Sequence, residues 1–197
     1  MKHLRTDLPL GRRLAALLTH GIAAAAAHTN LDITRGGVND VLAERLGLEK
    51  LSTFITTAQA DGSAESLGRI GTLPAPVAID DFAHSVCERL GVSHVRLVRA
   101  AARPVRRVAV VGGAGAEFID AAVRRGADVY ITGDVKYHEA QRAVEQGMHL
   151  IDAGHFGTER PVLPVLAGLL RTELAAEHGT AAIFVTETQR DVFDVII

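Results

Sequence analysis

Histidine and carboxylate side chains recur in this sequence at one spacing and in one setting. His28 is followed four residues on by Asp32, and His155 by Glu159. Each pair comes after a helical stretch, a glycine (Gly21 or Gly147) and a short apolar run that reads as a buried strand, with seven and eight residues from glycine to histidine. Both clusters therefore sit where a strand leaves the sheet, and in parallel α/β folds ligands bind beyond the carboxyl ends of the strands. Imidazole with carboxylate is a donor set that borderline and hard divalent ions accept. A carboxylate also has a second oxygen that can bridge to a neighbouring ion. A solitary histidine at a strand end more often bonds to backbone, but two matched pairs in equivalent settings favour metal. In the second cluster Gly154 and Gly157 permit a sharp turn between strand and helix. If His155 and Glu159 lie in the first helical turns, their spacing stacks them on one face. A helix N-terminus would also hold His155 neutral, the form that binds metal.

Two other stretches compete for chemistry. Val111-Gly-Gly-Ala-Gly-Ala-Glu-Phe118 follows a strand and opens a helix, as a dinucleotide fingerprint does, but Phe118 stands where the third glycine belongs and no acidic partner lies at the right distance. It reads as a tight turn lined by backbone N–H groups, with room for an anionic substrate group to dock. Thr132-Gly-Asp-Val-Lys-Tyr-His138 puts Asp134 and His138 four residues apart at another strand end. These are either supporting partners of a metal ligand or a proton donor, or Asp134 simply caps the next helix. His3, His20, His84, His94, His149 and His178 have no acidic partner in such a setting and read as surface or packing residues. Cys87, the only cysteine, falls in an apolar-periodic helix and reads as a packing residue; one cysteine permits neither an internal disulfide nor a thiolate cluster.

The elements that must position these residues follow from the periodicity. Helical spacing covers Gly11 to Thr19, and Ile22 to Ala27 reads as a short buried strand. Val38, Val41, Leu42 and Leu46 share one helical face that stops at Gly47. Ser52 to Ser66 is small and polar and reads as a surface connection, with a short strand and turn around Gly68 to Pro76. From Asp80 the pattern turns regular. A helix runs to Leu90, a strand covers Val95 to Val98 and another Val108 to Val111. A helix follows to Arg125, then a strand over Asp128 to Thr132, a helix over Val135 to Glu145 and a strand over Leu150 to Ala153. A helix over Pro161 to Glu177 and a last strand over Ala181 to Val185 complete it. Short apolar runs alternating with helices of this length are the signature of βαβ units. The expected fold is a layered α/β/α unit with mixed, mostly parallel sheets and two pseudo-repeated halves. It is one unit over residues 1–197, with sub-halves 1–75 and 76–197.

Composition narrows the partners. The chain of 197 residues carries a net charge of -2, and its pI near 6.5 offers no basic surface for a phosphate backbone. Nucleic acid is therefore not an expected partner. No run approaches the ~20 continuous apolar residues of a membrane span. Lys2, Arg5, Arg12 and Arg13 ahead of an alanine-rich stretch mimic an export signal, but Thr19, His20 and Gly21 break it. A reducing, cytoplasmic setting fits the cysteine usage.

Taken together, His28-Thr-Asn-Leu-Asp32, Gly36-Gly-Val-Asn-Asp40, Gly68-Arg-Ile-Gly71, Thr132-Gly-Asp134 and Gly154-His-Phe-Gly-Thr-Glu159 resemble the GTP cyclohydrolase I type 2 homologues, also called the NIF-three-like family. The resemblance covers essentially the whole chain, in order. It implies a dinuclear divalent-metal centre in which Asp32 binds one ion, His155 the other and Glu159 bridges both, with zinc, iron, manganese and magnesium not distinguished. It also implies a toroidal homohexamer and a metal-dependent hydrolase acting on a small, nucleotide-like substrate. His28 and His138 are the proton-transfer candidates. The family pattern includes an N-terminal His-His-Pro segment that supplies one imidazole to each ion. That motif does not occur in these residues, which leaves a depleted centre. The alternative is a non-catalytic metal-binding or scaffold protein.

Overall fold

The computed structural model describes residues 4–58 and 64–196. Eight helices are described: α1 (Pro9–Thr19), α2 (Thr29–Ile33), α3 (Val38–Arg45), α4 (Ile79–Leu90), α5 (Ile119–Arg124), α6 (Tyr137–Glu145), α7 (His155–Glu159) and α8 (Val162–Ala176). The strands are β1 (Glu49–Ala58), β2 (Ala64–Val77), β3 (Arg96–Val98), β4 (Val105–Ala114), β5 (Val129–Gly133) and β6 (His149–Asp152). They form one sheet in the order β1-β2-β4-β5-β6-β3. The pairs β4–β5 and β5–β6 are parallel, while β1–β2, β2–β4 and β6–β3 are antiparallel.

The parallel centre is what the apolar runs dictate. Every residue of β5 and β6 is buried, as strands covered on both faces must be. Alternate side chains then feed two cores. Val108, Val110, Val129, Ile131 and Ile151 point to the layer of α3 and α4, where Leu42, Leu46, Phe82 and Val86 meet them. Ala109, Val111, Tyr130 and Leu150 point the other way, onto Ile119, Ala122, Ala143 and Met148. The result is the expected layered α/β/α class. The sheet joins residues from both sides of position 75.

Three expected elements come out differently. Ile22 to Ala27 enters no ladder and lies exposed; a run of five alanines is a poor strand former. The echo between the two clusters is therefore one of side chains, with the strand present only before His155. Ser52 to Ser66, expected as a surface connection, forms the arms of the β1–β2 hairpin, with 59–63 outside the described residues. Its Thr53, Phe54, Ile55 and Thr56 are β-branched or aromatic, a signal that small polar neighbours mask. Ala181 to Val185 also forms no strand. Among the described residues no helix is long and apolar enough to cross a membrane.

Candidate metal centre

The carboxyl ends of β5 and β6 open onto one groove, and the end of β4 packs against α7 beside it. β5 hands over to Asp134, β6 ends at Asp152 and leads into α7, and β4 ends in an irregular glycine stretch, Gly112 to Gly115, where its register against β5 shifts. Opposite them, α2 contributes His28 at its N-cap and Asp32 within its only complete turn. His28, Asp32, Asp134, His155 and Glu159 all line this groove of about 1550 Å³.

α7 is short, and it presents His155 and Glu159 one turn apart. His155 Nε2 lies 3.1 Å from Glu159 Oε1, while its Nδ1 lies 2.7 Å from Asp134 Oδ2. One ring nitrogen is thus anchored by a carboxylate and the other turned to a second carboxylate at the groove. That is how a metal-binding histidine is oriented, with its far nitrogen held by an outer partner. Asp134 adopts φ +56 to make the contact, an unusual backbone state for a residue with a side chain. Of the roles open to Asp134 in the sequence, helix capping is not the one taken: Lys136 is the N-cap of α6, its N–H donating to Glu139 Oε2 at 2.7 Å.

The electrostatics correct one expectation. The start of α7 does not lower the pKa of His155. The hydrogen bond to Asp134, reinforced by the charge of Glu159, raises its pKa against an opposing effect of burial. Two carboxylates at contact outweigh the partial charge of a five-residue helix. Asp32 is also shifted upward: burial disfavours its charge, and the nearby imidazoles of His28 and His155 only partly offset this. The carboxylate of one cluster thus feels the imidazole of the other.

The remaining candidates divide. His28 keeps its ring at the groove, with Nδ1 3.2 Å from Thr29 Oγ1. His138 does not reach the groove; on α6 its Nδ1 lies 3.0 Å from Gln141 Oε1 and its ring stands edge-on to exposed Tyr137. It is exposed on α6, outside the groove that His28 lines. His94, read as a surface residue, lines the groove, whereas His149 is fully buried packing. His3 lies outside the described residues.

The glycine turn is not an anion cradle either. The N–H groups of Gly112, Gly113 and Gly115 donate to Asn39 Oδ1 (3.0 Å), Thr158 Oγ1 (2.9 Å) and Thr132 Oγ1 (2.9 Å). Those donors are spent on the protein. Asn39, Thr158 and Thr132 are the supporting residues that sequence reasoning missed. Asn39 is almost fully buried, and its Nδ2 donates to the Asp32 carbonyl at 2.9 Å. It therefore ties α2 to the end of β4. The available signal was a polar residue beside Val38, Val41 and Leu42 on a buried helical face. Next to it, Asp40 accepts the Gly36 N–H at 2.7 Å and pairs with the buried Arg69 guanidinium, joining two of the motifs.

The donor chemistry fits a divalent ion: an oriented imidazole nitrogen beside a carboxylate oxygen, with Asp32 on the same groove. Among the described residues no three His, Cys, Asp or Glu side chains close into a finished cage. The described donors thus amount to a pair with further carboxylate nearby.

The model of one family, described as Duf34/NIF3 (NGG1p interacting factor 3), matches residues 1–191. A relative from Clostridium perfringens, named GTP cyclohydrolase 1 type 2 homolog, is 31% identical over 98% of this chain and 72% of its own length. One of the same name from Streptococcus pneumoniae is 35% identical over 79% of this chain and 58% of its own length, so the chain spans less than two thirds of that relative. Among solved structures, a Bacillus cereus protein related to NIF3 superposes with a TM-score of 0.91 at 24% identity, over all of this chain and 80% of that one. A Staphylococcus aureus hypothetical protein gives 0.88 at 26% identity, over all of this chain and 76% of that one.

Proposed function

Because this chain belongs to the Duf34/NIF3 family, we propose that it binds divalent metal through His155 and Glu159, with Asp32 as a further ligand, and acts as a metal-dependent hydrolase on a nucleotide-like substrate. The observation that carries this reading is the Asp134–His155–Glu159 chain of contacts at 2.7 and 3.1 Å, open to a groove large enough for such a substrate. A divalent ion held by His155 and Glu159, with Asp32 nearby, would supply Lewis acidity toward an electrophilic carbon or phosphorus centre. The chain's own residues do the rest. Asp134 fixes the imidazole so that Nε2 faces the groove. Asn39, Thr132 and Thr158 hold the wall against which the donors stand. His28, with Nδ1 toward Thr29, keeps Nε2 for carrying a proton to or from the groove.

Self-association is part of the proposal. α8 is apolar nearly all round yet leaves Val165, Leu169 and Leu170 exposed, a composition that suits a helix covered by another surface. The resemblance suggests six subunits in a ring, and the single cysteine suits a reducing, cytoplasmic setting.

The test is metal analysis of protein purified without chelator, followed by turnover assays on GTP and other nucleoside triphosphates with added Mn²⁺, Fe²⁺ or Zn²⁺. Metal-dependent turnover that is lost in Glu159→Ala, with the fold retained by circular dichroism, supports the hydrolase. The open donor set favours a second reading, a metal-binding protein without catalysis. Full occupancy with no turnover of any nucleotide supports that one instead.

A further inference from the structure

We propose that Gly113 is the positioning residue of the donor pair: the room left by its missing side chain is the room in which the Glu159 carboxylate stands. The inference rests on the reading of His155 and Glu159 as metal donors and assigns the glycine turn, which the sequence offered as an anion site, to the floor of that centre. A Cβ on Gly113 would fall 2.5 Å from Glu159 Oε1 and 3.3 Å from His155 Nε2. Real Cβ atoms essentially never come within 3.0 Å of a non-bonded heavy atom, so the carboxylate would have to shift from this position.

The turn cannot retreat to make the space. Gly113 is pinned from both sides, its N–H donating to Thr158 Oγ1 at 2.9 Å and its carbonyl accepting from Thr132 Oγ1 at 3.1 Å. Thr158 lies inside α7 between the two donors, so the bond that fixes the turn also fixes the helix carrying the pair. Gly112 is held in the same way by Asn39, which reaches back to the Asp32 carbonyl. The Glu159 carboxylate, at the end of a flexible side chain, is the part that yields. A side chain at position 113 therefore moves the donor and leaves the sheet in place.

The backbone complicates a simple substitution, since Gly113 sits at φ +68, where any side chain is strained. Gly126 supplies the control. It has φ +67, a Cβ added to it would meet nothing within 4 Å, and it follows α5 away from the groove. Gly126→Ala thus carries the same backbone strain without the contact to Glu159.

The experiment is calorimetric titration of the full chain with Mn²⁺ for wild type, Gly113→Ala, Gly126→Ala and Glu159→Ala, each checked by thermal melting. Gly113→Ala is expected to weaken Mn²⁺ binding about tenfold to a hundredfold, the range seen when the support of a ligand is disturbed. Gly126→Ala should bind as wild type does. In a Gly113→Ala background, Glu159→Asp should restore part of the lost affinity, because the shorter side chain vacates the contested space. Gly113→Asn, which tolerates the left-handed backbone better and carries the same Cβ, gives the reading if the alanine variant does not fold. The inference is overturned if Gly113→Ala binds Mn²⁺ like wild type while Glu159→Ala has lost it, or if Gly126→Ala weakens binding equally. Wild-type affinity in Glu159→Ala would instead refute the donor-pair reading itself, and the inference with it.

Discussion

Replacing Asn39 by alanine should cost stability out of proportion to a small side chain. Asn39 is 1% exposed and makes two hydrogen bonds that cross the fold, donating to the Asp32 carbonyl at 2.9 Å and accepting the Gly112 N–H at 3.0 Å. Each bond contributes about 1 kcal/mol net, and a donor left without a partner in a partly buried position costs about 1–2 kcal/mol more, so Asn39→Ala should lose about 3–4 kcal/mol. Urea denaturation followed by far-ultraviolet circular dichroism measures it, because the chain has no Trp to report by fluorescence. Asn39→Asp separates the two bonds. It keeps an acceptor for Gly112 but turns a carboxylate oxygen toward the Asp32 carbonyl, so it should be no more stable than the alanine variant. A loss below about 0.5 kcal/mol for Asn39→Ala, the scatter of an ordinary surface change, would refute the claim that this side chain couples α2 to the glycine turn.

Asp40→Ala strips the buried Arg69 guanidinium of its partner and should cost about 3–5 kcal/mol in the same assay. Burial raises the Asp40 carboxyl, but Arg69 and the Gly36 N–H lower it further, so its pKa ends below the usual range. The stabilisation is therefore present above about pH 3.9 and lost as pH falls through the depressed value, and acid titration of Asp40→Asn should lack that component. His155 works in the opposite direction. Its raised pKa stabilises the metal-free fold below about pH 6.5 and loses that contribution as pH rises through the elevated value, whereas Mn²⁺ affinity climbs over the same range as the competing proton leaves. His155→Gln should flatten both profiles. His138→Ala should leave any metal-dependent turnover unchanged, while His28→Ala should lower it by about a hundredfold, the low end of general acid–base contributions. Equal losses in the two variants would contradict the placement of His138 outside the groove.

The sequence was most readable where one physical rule decides the outcome. β4, β5 and β6 show through short apolar centres, Val108 to Val111, Val129 to Ile131 and Leu150-Ile151, that are buried because both faces of the sheet are covered. α3 and α4 show through their apolar faces, which carry Leu42 and Val86 into a single core. The His155–Glu159 contact was readable from helical spacing alone. What stayed hidden depends on tertiary partners. Asp134 looked equally like a cap, and only the approach of β5 to β6 brings it to His155. The glycines at the end of β4 read as a tight turn with room for an anionic group because their N–H groups have no local partner; Asn39 and Thr158 reach them from 73 and 45 residues away in the chain. Periodicity likewise gave His28 and His155 equivalent strands, but alanine has little preference for a pleated sheet, and Ile22 to Ala27 pairs with no strand.

The central claim is that a divalent ion is held between His155 Nε2 and Glu159 Oε1. Anomalous diffraction from crystals of the full chain grown with Zn²⁺ tests it most directly. The expected result is a peak within about 2.0–2.2 Å of both atoms, with His155 Nδ1 still bonded to Asp134. A peak bound elsewhere, or an ordered His155–Glu159 pair with no ion between them at saturating Zn²⁺, would contradict it.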